Sequence, residues 1–284
     1  MTAGSDLSGF DLGAYRRRLG YHGPLAPDLG TLRTILAAQA AAIPFENLDP
    51  LLGRPVSLAL PALAAKLLGS RRGGYCFEQN TLLAAALQAI GFRVTRLAGR
   101  VRWMRPAEQP EGPRTHTLLR VDLDGDVYIA DAGFGGHMLA APVRLAPGLE
   151  QALPASRVRV LLAADGFLLQ AALPAGWTDL YRFTLEPQSE QDYAAANWFT
   201  ATHPEVLFTT SLLAERLTPH SRDTLFNRAL TSRFADGSVR QRTLTDAADL
   251  GAVLDELFAI TPPADPAVIW ARLGGSHPAP PAPG

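Results

Sequence analysis

One cysteine, Cys76, is the whole thiol content of this 284-residue chain. A lone cysteine cannot close an internal disulfide, so nothing marks an oxidising compartment, and cysteine-rich zinc sites are excluded. The histidines are His22, His116, His137, His203, His220 and His277. No two have the spacing of a helical zinc pair, so no metal is expected. Charge of one sign is also missing: 26 Lys and Arg face 27 Asp and Glu, a formal net charge of −1. No field draws the chain to nucleic acid or an acidic membrane. The runs Arg16–Arg18 and Arg71–Arg72 are too short to form patches. No apolar run approaches the roughly 20 residues that span a bilayer. The first ten residues include Asp6 and lack a long apolar stretch, unlike a secretory leader. A soluble, cytoplasmic protein is the expectation, with neither nucleic acid nor membrane as partner. The sequence sets no oligomeric state.

What is present is a globular balance, with 47% hydrophobic and 19% charged residues, enough for a sizeable core. The first third reads as helical. A helix opens at Pro27-Asp28 and runs to Ala42, with Leu32, Ile35, Leu36 and Gln39 on one face and Pro44 as its stop. A shorter one covers Pro61–Leu68. A third runs from about Cys76 to Ile90, with Leu83, Ala86, Leu87 and Ile90 at i, i+3, i+4, i+7 and Gly91 as C-cap. From Phe92 the pattern becomes short strands: Phe92–Leu97, Thr115–Leu123, Val127–Asp131, Val158–Ala163, Gly166–Ala171 and Tyr181–Leu185. Asp124-Gly125 and Asp165-Gly166 are hairpin turns. This is an antiparallel meander, a barrel or a sandwich. A helix at Tyr193–Thr202 follows, then strands near Leu225–Thr231 and Val239–Thr243 with Asp236-Gly237 between them. Thr245 or Asp246 caps a helix through about Phe258. The Pro-rich His277–Gly284 reads as a disordered tail. The expected units are residues 1–91, 92–192 and 193–276, followed by that tail.

A free cysteine is most often a small buried apolar residue. Around Cys76 the neighbours argue otherwise: Arg71 and Arg72 precede it, Gly73 and Gly74 give a bendable approach, and a helix begins at it. Positive charge and a helix N-terminus favour the thiolate, which is the nucleophile. Such a cysteine needs a base, and the base needs an orienting partner. His116 and Asp131 lie on the two arms of one hairpin. If Asp124-Gly125 is a two-residue loop, Leu123 pairs with Asp126 and Asp131 falls opposite Leu118. Side chains alternate along a strand, so His116 and Leu118 share a face. Asp131 is then a diagonal neighbour of His116, about 7–8 Å away and within reach of long side chains. A three-residue loop would shift the pairing and spoil this. Gly133-Phe134-Gly135-Gly136 follows directly, and glycines there let backbone N–H groups approach an anion. The spacing is not that of a dinucleotide fingerprint.

These residues sit in a chain that resembles the arylamine N-acetyltransferases. The likeness runs through Ile43-Pro44-Phe45-Glu46-Asn47-Leu48-Asp49, Arg72-Gly73-Gly74-Tyr75-Cys76-Phe77-Glu78-Gln79-Asn80, Gly99-Arg100-Val101, Arg114-Thr115-His116, Asp131-Ala132-Gly133-Phe134-Gly135-Gly136 and Ala141-Pro142-Val143-Arg144-Leu145. The resemblance implies an α+β fold in three parts: a helical bundle carrying the cysteine, an antiparallel β-barrel carrying histidine and aspartate, and an α/β lid. It implies a Cys-His-Asp triad of cysteine-protease type, Cys76, His116 and Asp131, and acetyl-CoA as co-substrate. By the same resemblance, Thr115 and the loop of Gly133, Phe134, Gly135 and Gly136 lie near the CoA pyrophosphate or pantetheine. Phe45, Val101, Trp103, Phe134 and Phe208 line the acyl and arylamine pocket. Glu46 and Arg72 form an ion pair that holds the cysteine loop. Thr117, where many members carry a larger apolar residue, and the loosely matching Pro204–Phe208 segment are departures that bear on substrate choice.

The implied activity is ping-pong acetyl transfer through an acetyl-cysteine to an arylamine or arylhydrazine, a xenobiotic-metabolising chemistry. Three other readings share the constellation. An amide synthase would use the same triad to close a macrolactam from a carrier-bound polyketide. A transglutaminase or thiol-protease-like enzyme has the same Cys…His…Asp order, but the Pro-Phe-Glu-Asn and Gly-Phe-Gly-Gly blocks tell against it. A non-catalytic ligand-binding homologue would have no need of an intact triad.

Overall fold

In the computed structural model, residues 10–106 and 108–273 are described, so the tail expected at His277–Gly284 lies outside them. Helix α1 (Leu12–Leu19) was not legible in the sequence, although Asp11 caps it and Gly20 ends it in the left-handed conformation. Its polar face carries Arg16, Arg17 and Arg18, and only Tyr15 is buried, so no apolar stripe announces it. Helix α2 (Leu29–Ala42) starts where the Asp28 carboxylate accepts the Thr31 N–H at 2.7 Å. The short β1 (Phe45–Glu46) and α3 (Leu48–Leu51) follow. Helix α4 (Leu60–Leu63) continues as a π-helical segment, Ala64–Gly69. Helix α5 (Cys76–Ile90) has the expected bounds and the Gly91 C-cap.

An eight-stranded antiparallel sheet comes next: β2 (Arg93–Val101), β3 (His116–Leu123), β4 (Asp126–Ala130), β5 (Val143–Arg144), β6 (Glu150–Leu153), β7 (Ser156–Ala163), β8 (Gly166–Leu173) and β9 (Gly176–Pro187). The spatial order is β5-β4-β3-β2-β9-β8-β7-β6. The sheet curls until its two edges nearly meet. There the Gln151 side chain accepts the Arg144 N–H and donates to the Arg144 carbonyl, both at 2.8 Å. The barrel is thus closed by one amide rather than by a ladder. The β3–β4 register pairs Leu123 with Asp126 and Leu119 with Ala130, the two-residue hairpin the sequence argument needed. α5 packs on β2 and β3 through Leu83, Leu87, Leu119 and Val121.

Beyond α6 (Glu190–Thr202) and α7 (Leu207–Thr210), a second sheet gathers β10 (Leu213–Leu217), β11 (Ser221–Phe226), β12 (Ala229–Phe234) and β13 (Val239–Thr243) in the order β1-β10-β11-β12-β13. The strand expected across Leu225–Thr231 is in fact two arms of a tight hairpin, with Phe226 facing Ala229. The chain reverses at Asn227, which takes φ +50, a conformation asparagine tolerates. The Asn227 carboxamide also accepts the Leu212 N–H. Strand β10 was not anticipated. Helix α8 (Ala247–Ala252), capped by Asp246, runs on as a π-helical segment, Val253–Leu257, before α9 (Pro266–Arg272). Strand β1 pairs with β10 and bridges to Gly74, so the N-terminal segment just before the cysteine loop is tied into the C-terminal sheet. No described helix is long and apolar enough to cross a membrane.

Candidate active site

Cys76 is the first residue of α5, and the Glu78 carboxylate accepts the Tyr75 N–H at 3.1 Å, fixing that first turn. Cys76 is 4% exposed and its thiol donates to the Thr115 carbonyl at 3.6 Å. His116 opens β3 and is buried, as is Asp131. His116 Nε2 lies 2.7 Å from Asp131 Oδ2. With Nε2 held by Asp131, Nδ1 is the ring nitrogen left to serve the sulfur. The other carboxylate oxygen of Asp131 accepts from Asn80 Nδ2 and from the Gly133 N–H, both at 2.9 Å. Asn80 also donates to the Thr117 carbonyl at 2.7 Å and accepts the Ala132 N–H. It stands one turn after Cys76 on the same face of α5, so one helix positions both the sulfur and the carboxylate. That i, i+4 relation was the signal that could have found it.

Rings hold the imidazole from two sides. Phe134 meets it edge-on at 5.1 Å between centroids, and Tyr181 lies 4.7 Å away. Burial and the Asp131 charge raise the Tyr181 hydroxyl well above the usual phenol range, so it stays neutral. The electrostatics favour a charged imidazole. Burial works to lower the His116 pKa, but the Asp131 charge and hydrogen bond, joined by Cys76, push it up to about 10. Burial likewise opposes the Asp131 carboxylate, yet His116, Asn80 and the Gly133 N–H hold it below the usual range.

A pH dependence follows. An unfolded histidine titrates near 6.5, so between about 6.5 and 10 the folded chain keeps a proton that the unfolded chain releases. This contribution is fully present below about 6.5 and lost as pH rises through 10. In a Cys76→Ala background, where no thiol exchanges a proton with the ring, urea stability should decline over that window. Adding His116→Gln should flatten the decline.

The glycine loop after Asp131 is shaped by close packing. A Cβ on Gly133 would stand 2.7 Å from Cys76 Cα, and one on Gly135 would enter the Phe45 ring at 2.5 Å. Gly136 has φ +97 and faces Trp103. Two of its N–H groups serve the protein itself: that of Gly133 binds Asp131, and that of Gly136 donates to Glu215 Oε2 at 2.5 Å. Glu215, fully buried on β10, also accepts the Met138 N–H at 3.0 Å and Arg222 at 2.7 Å. This anchor was missed, because a charged residue within a strand reads as exposed. Glu215→Ala leaves Arg222 buried without its carboxylate and is expected to cost about 3–5 kcal/mol in urea unfolding.

Arg72 forms the ion pair with Glu46 that the resemblance implied, at 2.7 Å, and also pairs with Asp49 at 3.0 Å. Arg71, whose charge was read as favouring the thiolate, pairs instead with Asp255 at 2.9 Å.

A cavity of about 850 Å³ opens over Cys76 and His116. Phe45, Val101, Trp103, Phe134 and Phe208 all line it. So do Thr115, Gly133, Gly135 and Gly136, while Asp131 stays behind the imidazole. Thr117 does not reach it: its hydroxyl is used on the Leu97 carbonyl, so this departure leaves the cavity wall untouched. The far wall was not foreseen. It comes from the C-terminal sheet, with Phe226, Thr231 and Arg233 among its residues.

A model of the N-acetyltransferase family matches residues 28–265. The arylamine N-acetyltransferase of Mycobacterium tuberculosis is 42% identical over 253 residues, 88% of this chain and 89% of its own. The chain belongs to the arylamine N-acetyltransferase family. The Escherichia coli arylamine N-acetyltransferase is 40% identical over 250 residues, 88% of each chain. The structure of the Mycobacterium marinum arylamine N-acetyltransferase in complex with CoA superposes with a TM-score of 0.88 at 38% identity, covering 93% of this chain and 98% of that one. The α+β fold and the acyltransferase class expected from the sequence are those of this arylamine N-acetyltransferase family. Among the described residues no group of His, Cys, Asp and Glu side chains is arranged to hold a metal.

Proposed function

We propose that Cys76, His116 and Asp131 carry out ping-pong acetyl transfer from acetyl-CoA to an arylamine or arylhydrazine. The observation that carries this reading is that Cys76 and His116 line one large cavity while Asp131 binds the imidazole from behind at 2.7 Å. His116 takes the thiol proton, and Asp131 fixes the ring so that Nδ1 faces the sulfur and the positive charge is stabilised. The Cys76 thiolate adds to the thioester carbonyl. The C–S bond to CoA breaks, and the departing CoA thiolate takes a proton from the His116 imidazolium. The acetyl group is then a thioester of Cys76. An aromatic amine, scarcely protonated at neutral pH, adds to that carbonyl while His116 removes its proton. Collapse releases the amide and restores Cys76.

In the same reading, Thr115 and the Gly133–Gly136 loop flank the pantetheine arm, since they border the cavity beside the sulfur. Phe45, Val101, Trp103, Phe134 and Phe208 offer flat faces to an aryl acceptor. A cytoplasmic setting, where acetyl-CoA is made and thiols stay reduced, suits a lone reactive cysteine. The test is steady-state kinetics of CoA release with aniline-type acceptors. Parallel double-reciprocal lines are expected as acceptor concentration is varied. Intersecting lines would mean direct transfer in a ternary complex and would overturn the acetyl-cysteine.

A further inference from the structure

Beneath the cysteine lies a buried cluster of charge that the proposed chemistry does not use. Lys66 sits on the π-helical segment, 17% exposed. Its ammonium is 2.6 Å from Asp49 Oδ2 and 2.6 Å from Glu78 Oε1. Glu78 is the residue whose other oxygen accepts the Tyr75 N–H at the start of the cysteine helix. Asp49 is shared with Arg72, which also holds Glu46, and Glu46 accepts the Leu48 N–H. Around Glu78 stand Lys66 from the π segment, Glu46 from β1 and Tyr75 from its own helix start, with Asp49 and Arg72 one ion pair further out. Lys66 is the cation that binds Glu78 directly. A π turn re-phases the side chains of a helix and is frequent at functional sites. Here Leu67 is buried in the helical core while the neighbouring Lys66 reaches Glu78.

We propose that Lys66 is a positioning residue for Cys76: by neutralising Glu78 it lets that carboxylate cap the cysteine helix without setting an unpaired negative charge two residues from the nucleophile. The inference rests on Cys76 being the nucleophile. Even with Lys66 in place, burial raises the Glu78 carboxyl to about 7, while Lys66 and the Tyr75 N–H pull it down and Glu46 adds to the rise. Without Lys66 there are two outcomes. The carboxylate stays charged and opposes thiolate formation, or it takes a proton and weakens the cap. Both lower the reactivity of the sulfur.

Because the chain has one cysteine, iodoacetamide alkylation reads that sulfur alone and requires no acyl donor. A failure here is therefore separate from a failure of the acetyl-transfer reading. In Lys66→Met the pH midpoint of alkylation is expected to rise by about one unit, with a rate at pH 7 about tenfold lower. Lys66→Arg should restore most of both. A role in stability alone would lower the melting temperature and leave the midpoint in place. A folded Lys66→Met protein with wild-type midpoint and rate would overturn the proposal. Should Lys66→Met not fold, Glu78→Gln carries the test. It keeps an acceptor for the Tyr75 N–H and removes the Glu78 charge while Lys66 stays paired with Asp49, so the midpoint should fall below wild type, and an unchanged midpoint contradicts the inference.

Discussion

Replacing Cys76 by alanine should remove acetyl transfer, with kcat/KM lowered by at least about 10⁴-fold, while the protein still folds. The size of the loss follows from removing the nucleophile of a cooperating triad, where any one member takes most of the rate with it. The fold should survive, because Cys76 contributes one sulfur atom to a cluster that also contains Phe45, Tyr75 and Phe77. The space left is small, and the expected loss is about 1 kcal/mol. The first turn of α5 is held by Glu78 on the Tyr75 N–H, which the substitution does not touch. Scanning fluorimetry beside CoA-release assays separates the two effects. A well-folded Cys76→Ala protein with appreciable turnover would remove the cysteine from the mechanism.

Asp131→Asn should lower kcat by about 10³–10⁴-fold, through the tautomer of the ring. In the native site one carboxylate oxygen receives His116 while the other receives both Asn80 and Gly133. Asparagine has only one oxygen, and two fixed donors claim it. Its NH₂ group must then face His116 Nε2, which becomes the acceptor. The ring proton moves to Nδ1, the nitrogen that should accept from the sulfur, and the base is lost. The His116 pKa, now raised chiefly by the Asp131 charge, should fall toward or below its ordinary value. NMR of the imidazole and single-turnover kinetics check both parts. An Asp131→Asn enzyme with near-native kcat would show that the carboxylate has no part in orienting the ring.

Much of this site is legible in the sequence, for local reasons. Gly91 and the i, i+3, i+4, i+7 stripe fixed α5, and so placed Cys76 at its N-terminus. The Asp124-Gly125 turn set the β3–β4 register, and period-two alternation then brought His116 and Asp131 to one face. What stayed hidden depends on partners far along the chain. Glu215 is buried because Arg222 and two loop N–H groups satisfy it, so β10 shows no clean apolar alternation. The β11–β12 turn at Asn227-Arg228 lacks the glycine that marks the commonest tight hairpins, and the two strands merged into one apparent run. Nothing in the local sequence marks Lys66, because the two carboxylates that hold it, Asp49 on α3 and Glu78 on α5, are remote along the chain. Arg71 is engaged for the same reason by Asp255, far along the chain, whereas the Arg72–Glu46 pair is the one the resemblance implied.

Intact-protein mass spectrometry after mixing the enzyme with acetyl-CoA, without acceptor, tests the central claim most directly. One acetyl group should appear, mapped by peptide analysis to Cys76, and it should vanish with formation of the amide when aniline is added. An enzyme that turns over acetyl-CoA and aniline yet never carries acetyl on Cys76, or whose acetyl-cysteine persists after the amine is supplied, would contradict it.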